Sequence, residues 1–208
     1  ITIALTHEIS SYGNGRADLE LLAQRIYDQT APGGVWINSD VLGPAGGERL
    51  VDLALEGTDP GVALDMTGWD SDRVETHLAA LTPSQTLTQF ARDFPALSGA
   101  RCEVTWVAPG VARMPLRDAM EFLTTRDYRR NWLSECHERF TTMEWSDWVE
   151  LLEGVGFEID PASGPWRNDW LVANRFTVGA TLLDPDGGPA PEWPDTHVLA
   201  IARRPLES

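Results

Sequence analysis

Ile1-Thr2-Ile3-Ala4-Leu5-Thr6-His7-Glu8 and, after a helix-length segment, Pro32-Gly33-Gly34-Val35-Trp36-Ile37 running on to Asp40 are the stretches from which the fold is read. Each contains an apolar run that stops at polar residues. Between them Leu19, Leu22, Ala23 and Ile26 recur at helical spacing over 17–30, and Pro32-Gly33-Gly34 stops that helix and turns the chain. Strand, helix, turn and strand in this order form a crossover unit of a parallel sheet, and such sheets bind ligands outside the carboxyl ends of their strands. His7, Glu8, Tyr12 and Asp40 are therefore expected along one rim.

Outward from this unit the pattern changes at Gly43. Glycine and proline punctuate the chain to about Ala100, and 48–55 and 72–81 read as helices. Thr82-Pro83-Ser84 opens another helix, with proline in its first turn and Leu87, Phe90 and Ala91 on one face. The alternation over 101–107 predicts a strand, and Pro109-Gly110 a turn. The stretch 115–140 reads as helical, with Leu116, Met120, Leu123, Tyr128 and Trp132 as buried positions. A further helix over 146–153, with Ser146 as N-cap, ends at Gly154 or Gly156. Strands are expected at 157–159, 174–183 and 196–202, with a turn at Asp186-Gly187-Gly188. The expectation is an α/β fold in which 1–42 and 145–208 build the sheet and 43–144 is a mostly helical insertion that caps a substrate.

The composition bounds the function. With 42% hydrophobic and 23% charged residues the chain is of ordinary globular type, and no apolar stretch approaches the roughly 20 residues that span a bilayer. A cytoplasmic protein with no membrane association is expected, and Cys102 and Cys136, which lack metal or redox spacing, are expected as free thiols. All sixteen basic residues are arginine, and the net charge is −16. A surface this acidic repels phosphate backbones, which argues against general nucleic-acid binding. The tight basic cluster Arg126, Arg129 and Arg130 could still hold one phosphate or carboxylate.

Three motifs in order carry a family resemblance. Leu5-Thr6-His7-Glu8-Ile9 with Tyr12, then Thr30-Ala31-Pro32-Gly33-Gly34, then Leu151-Leu152-Glu153-Gly154-Val155-Gly156-Phe157 resemble the later half of class I S-adenosylmethionine-dependent methyltransferases of the bacterial small-molecule type. The resemblance covers roughly 1–42 and 145–204. It implies a partial Rossmann-like sheet of late strands with an antiparallel C-terminal strand, S-adenosylmethionine as cofactor, and methyl transfer to an oxygen or nitrogen of a small molecule. It also implies that Leu5, Thr6 and Tyr12 border the cofactor. The family's glycine-rich loop and the acidic residue ending its second strand have no counterpart here, and Gly13-Asn14-Gly15 lacks the spacing to replace them. An N-terminal segment, or a second copy in a homo-oligomer, is expected to cover the apolar edge of the first strand. A non-catalytic interaction module that uses this edge is the alternative.

Methyl transfer to a hydroxyl needs a base, and histidine suits that role near neutral pH. His7 is the expected base, with Glu8 as its orienter or as a substrate ligand. In 128–138, Tyr128, Trp132 and Glu135 would share a helical face with Arg129 nearby, offering an aromatic wall, a carboxylate and a cation to a substrate. Asp40, Asn168 and Trp170 complete the expected substrate contacts, the last two from a loop-like segment that holds part of a tryptophan-rich stretch. His7, Glu8, Glu135 and His137 have no diagnostic metal spacing, and no metal is expected.

Overall fold

The computed structural model describes residues 1–206. In chain order the elements are β1 (Thr2–Ile3), α1 (Thr6–Tyr12), α2 (Arg16–Gln29), β2 (Val35–Val41), β3 (Leu50–Leu55), α3 (Ser71–Ala79), α4 (Pro83–Ser98), β4 (Thr105–Ala108), β5 (Val111–Pro115), α5 (Leu116–Thr125) and α6 (Trp132–Glu135). There follow α7 (Trp145–Val155), β6 (Glu158–Ile159), β7 (Gly164–Trp166), the short turn α8 (Asp169–Leu171), a π-helix over Val172–Phe176, β8 (Ala180–Leu183) and β9 (His197–Arg203). The class is α/β, with one mixed and one antiparallel sheet. The chain divides into two units: 1–45 with 139–168 and 194 onward, and 46–138 with 169–193.

In the first unit β1 runs parallel to β2, β9 lies antiparallel beside β2, and β6 and β7 pair with the other edge of β9. The alternation of β2 sends Trp36, Asn38 and Asp40 to the buried face, opposite Ala202, Ala200 and Val198 of β9. Leu19 and Ala23 of α2 and Trp148, Leu151 and Leu152 of α7 bury against this sheet with Phe157. Gly156 closes α7 in the left-handed region at φ 107°, where a Cβ would crowd the Tyr27 ring. The first apolar run is a shorter strand than expected. Ala4 takes φ 48° and turns the chain out of β1, so α1 begins at Thr6 and His7 and Glu8 lie in a helix, not at a strand end.

The second unit is built on the antiparallel sheet β4-β5-β3-β8. Its helices bring Leu87, Phe90 and Phe94 from α4 and Leu116, Met120, Phe122 and Leu123 from α5 into one core with Val51, Leu53 and Leu55 of β3. Residues 48–55, expected as a helix, contain β3, because Val51, Leu53 and Leu55 bury at the period of a strand. The insertion thus holds strands as well as helices, and 169–193 belongs to it through β8. Only 180–183 of the expected strand 174–183 is extended, since Val172–Phe176 is π-helical. The predicted helix start at Thr82 is a capping box: the Gln85 backbone N–H donates to Thr82 Oγ1 at 3.3 Å, and the Thr82 N–H donates to Gln85 Oε1 at 3.0 Å. Cys136 is buried in this core and Cys102 packs against it; both are free thiols.

Candidate functional site

The polar stripe of β2 organises the site. Trp36 Nε1 donates to Thr2 Oγ1 at 2.9 Å, Thr2 Oγ1 donates to Asn38 Oδ1 at 2.6 Å, and Thr6 Oγ1 donates to Asp40 Oδ2 at 2.5 Å. Each inward polar group on this stripe therefore meets a partner from β1 or the start of α1, as burial requires. The turn at Ala4 aims the first N–H groups of α1 at Asp40. Its Oδ2 accepts from the backbone of Leu5, Thr6 and His7 at 3.1, 2.7 and 3.2 Å, a carboxylate at a helix N-terminus.

Oδ1 of Asp40 lies 2.6 Å from His7 Nδ1 and also accepts from the Val41 N–H at 2.8 Å. Burial raises the Asp40 carboxyl, but the hydrogen bonds from His7, Thr6 and Val41 together with the His7 charge outweigh it and hold the group below the usual carboxylate range. Asp40 is therefore ionised at neutral pH and can only accept. Nδ1 of His7 must carry the proton between them, which makes Nε2 the basic nitrogen of the neutral ring. The Phe140 ring sits against the imidazole with centroids 5.1 Å apart and an interplanar angle of 43°.

A small pocket adjoins this pair, with room for about one water molecule, lined by His7, Thr6, Ser10, Phe140, Met143 and Trp148 among others. A second, open hollow shares Ser10, Leu19, Thr142 and Met143 with it and is bordered by Arg16 and Arg139. Trp148 Nε1 and Arg139 Nε are buried donors with no hydrogen-bond partner among the described residues. Such donors stand ready for an acceptor. Arg139 itself is fixed by its Nη2 donating to the Ser10 carbonyl at 2.8 Å.

The expected site residues fare differently. Leu5, Thr6, His7, Glu8, Tyr12, Asp40 and Asn168 belong to the first unit, and Tyr128, Arg129, Trp132, Glu135 and Trp170 to the second. Asp40 is 3% exposed and bonded at both oxygens within the fold, so it positions His7 and does not reach a substrate. Glu8 is exposed, and the hydrogen bond that orients His7 through Nδ1 comes from Asp40. Thr6 is buried with its hydroxyl committed to Asp40, while Leu5 and Tyr12 keep exposed side chains. Asn168 donates its backbone N–H to Thr196 Oγ1 at 3.0 Å.

In the second unit the single face expected over 128–135 does not form, because α5 ends at Thr125 and a turn precedes the short α6. Trp132 is fully buried and donates to Asp93 Oδ2 at 2.8 Å, which makes it core rather than a substrate wall. Tyr128, expected to be buried, is exposed beneath the Arg175 guanidinium, 4.8 Å from the ring centroid. Glu135 is half-buried, Arg129 borders a pocket, and Trp170 is exposed.

Sequence reasoning missed His197. It faces Val41 across the β2–β9 ladder, its Nδ1 is 2.7 Å from Thr196 Oγ1, and its ring stacks on Trp166 at 4.8 Å. Burial pushes its pKa down against an opposing pull from Asp40. The signal was present only as a histidine opening an apolar strand. Among the described residues no helix is long and apolar enough to cross a membrane. Comparison with known protein families, with curated proteins and with solved structures finds no match to this chain.

Proposed function

We propose that the first unit is the late-strand part of an S-adenosylmethionine-dependent methyltransferase of class I, acting on an oxygen or nitrogen of a small molecule, with His7 as proton acceptor. The observation that carries this reading is the His7–Asp40 pair, with His7 in the first turn of the helix that follows β1 and Asp40 near the carboxyl end of the parallel strand β2, in a sheet whose last strand in the chain is reversed. Asp40 fixes the ring so that Nε2 takes the proton of an acceptor hydroxyl, and its negative charge stabilises the imidazolium that results. Phe140 packs against one side of the imidazole and limits its motion.

The fit to the cofactor is partial. Leu5 and Tyr12 retain exposed side chains suited to one edge of a ligand, whereas Thr6 is used within the fold. S-adenosylmethionine would supply an electrophilic methyl group; the chain's own residues supply the base and its orientation. Calorimetric titration with S-adenosylhomocysteine tests the reading. Micromolar binding supports it, and absence of binding means that the described residues need a further segment or copy to hold the cofactor.

A second reading rests on the β1 edge, where Ile1 and Ile3 are 86% and 71% exposed. An apolar strand edge pairs readily with another chain. An interaction module would keep its partner when His7 is replaced by alanine, whereas the enzyme would lose turnover.

A further inference from the structure

The second unit contains a buried cation that forms no ion pair among the described residues. Arg126 is 6% exposed, and its Nη2 donates to the carbonyls of Arg175, Phe176 and Val178 at 2.5, 3.4 and 2.7 Å. These bonds tie the end of α5 to the π-helix and to the turn that leads into β8. Nε and Nη1 of Arg126 make no hydrogen bond among the described residues, and neither is sealed from solvent. Arg126 helps to line an open pocket together with Leu81, Pro83, Thr86, Asp127, Arg129 and Val178. Arg129 likewise has no carboxylate within ion-pairing distance among the described residues.

The carboxylate in the lining, Asp127, acts on Arg126 only through space and makes no ion pair with it. Asp127 Oδ2 is taken by Arg175 Nε at 2.7 Å. Three guanidiniums therefore gather around one carboxylate, in a chain whose net charge is −16. Removing a cation from water without an acidic partner is costly, and the burial that pushes the Arg126 pKa down records that cost. A guanidinium half-satisfied by carbonyls keeps a planar pair of donors for an oxyanion.

We propose that this pocket binds a small organic monocarboxylate, its oxygens on Arg126 and Arg129 and its hydrocarbon body against Leu81, Pro83 and Val178. The apolar wall suits a short alkyl group, which inorganic phosphate does not have. This disfavours inorganic phosphate. The site is independent of the methyl-transfer reading, since no residue of the first unit takes part.

Sodium butyrate is the probe, titrated at constant ionic strength while the arginine Nε–H resonances are followed by NMR. The expected result is a saturable displacement of the Arg126 resonance in the millimolar range. Arg129→Gln, a change at an exposed position that leaves the core intact, weakens binding about tenfold. Arg101→Gln, at an exposed arginine paired with Glu103, leaves it unchanged. No saturable displacement, an unchanged affinity in Arg129→Gln, or inorganic phosphate binding as tightly as butyrate would each overturn the proposal.

Discussion

Asp40 does three things at once: it caps α1, accepts from Thr6 and fixes the proton of His7. In Asp40→Asn the amide oxygen would stay with the Leu5, Thr6 and His7 N–H groups, leaving the amide N–H₂ facing His7 Nδ1 and the Val41 N–H without its acceptor. That nitrogen must then accept, and the proton moves to Nε2. The expected outcome is a reversed imidazole tautomer, read from ¹⁵N shifts, with a stability loss of about 2–3 kcal/mol in denaturant titrations. Acid behaviour follows from the same geometry. The folded Asp40 titrates below the roughly 3.9 of an unfolded aspartate, so its contribution is complete above about pH 4 and is lost as pH falls through the lower folded value. His197 acts earlier. Burial lowers its folded pKa, the unfolded chain takes the proton first, and stability declines as pH drops below about 6.5. Melting curves should show that first decline flattened in His197→Gln and the second unchanged.

At the scale of elements, local signals were read well and long-range ones were not. The Pro32-Gly33-Gly34 stop, the α2 stripe, the cap at Thr82 and the strand at β9 depend on neighbours in the chain, and all four are found. Thr82→Ala should cost about 1 kcal/mol, because it removes one half of the box and leaves the Gln85 N–H without its cap; chemical denaturation measures this directly. The segment 48–55 misled because leucine and alanine favour helices, while the burial of Val51, Leu53 and Leu55 at period two is decided by strands β5 and β8 arriving from elsewhere. The π-helix over Val172–Phe176 was invisible for a similar reason, since the guanidinium that donates to its last carbonyls comes from Arg126. His7 was legible as a candidate residue, but its hydrogen-bond partner was not. Glu8 adjoins His7 in the chain, whereas Asp40 reaches it only once β1 and β2 pair.

For the molecule as a whole, electrostatics sets the response to the medium. Sixteen arginines face thirty-two acidic residues, and most of the ion pairs are at the surface, where each contributes little. Self-repulsion should therefore dominate, and the melting temperature should rise between about 10 and 150 mM sodium chloride as the excess negative charge is screened. A flat or falling curve by circular dichroism would show that local pairs outweigh the net charge.

The two cysteines have a practical consequence of the same burial. The thiol of Cys102 is pushed up to about 12 by burial and by the neighbouring carboxylates, and Cys136 is raised as well. At pH 7 the thiolate fraction of Cys102 is on the order of one in 10⁵, so alkylating reagents would find almost no nucleophile while the second core is closed. The rate of alkylation then becomes a clock for how often that core opens, and it should fall to near zero whenever a ligand holds the unit shut.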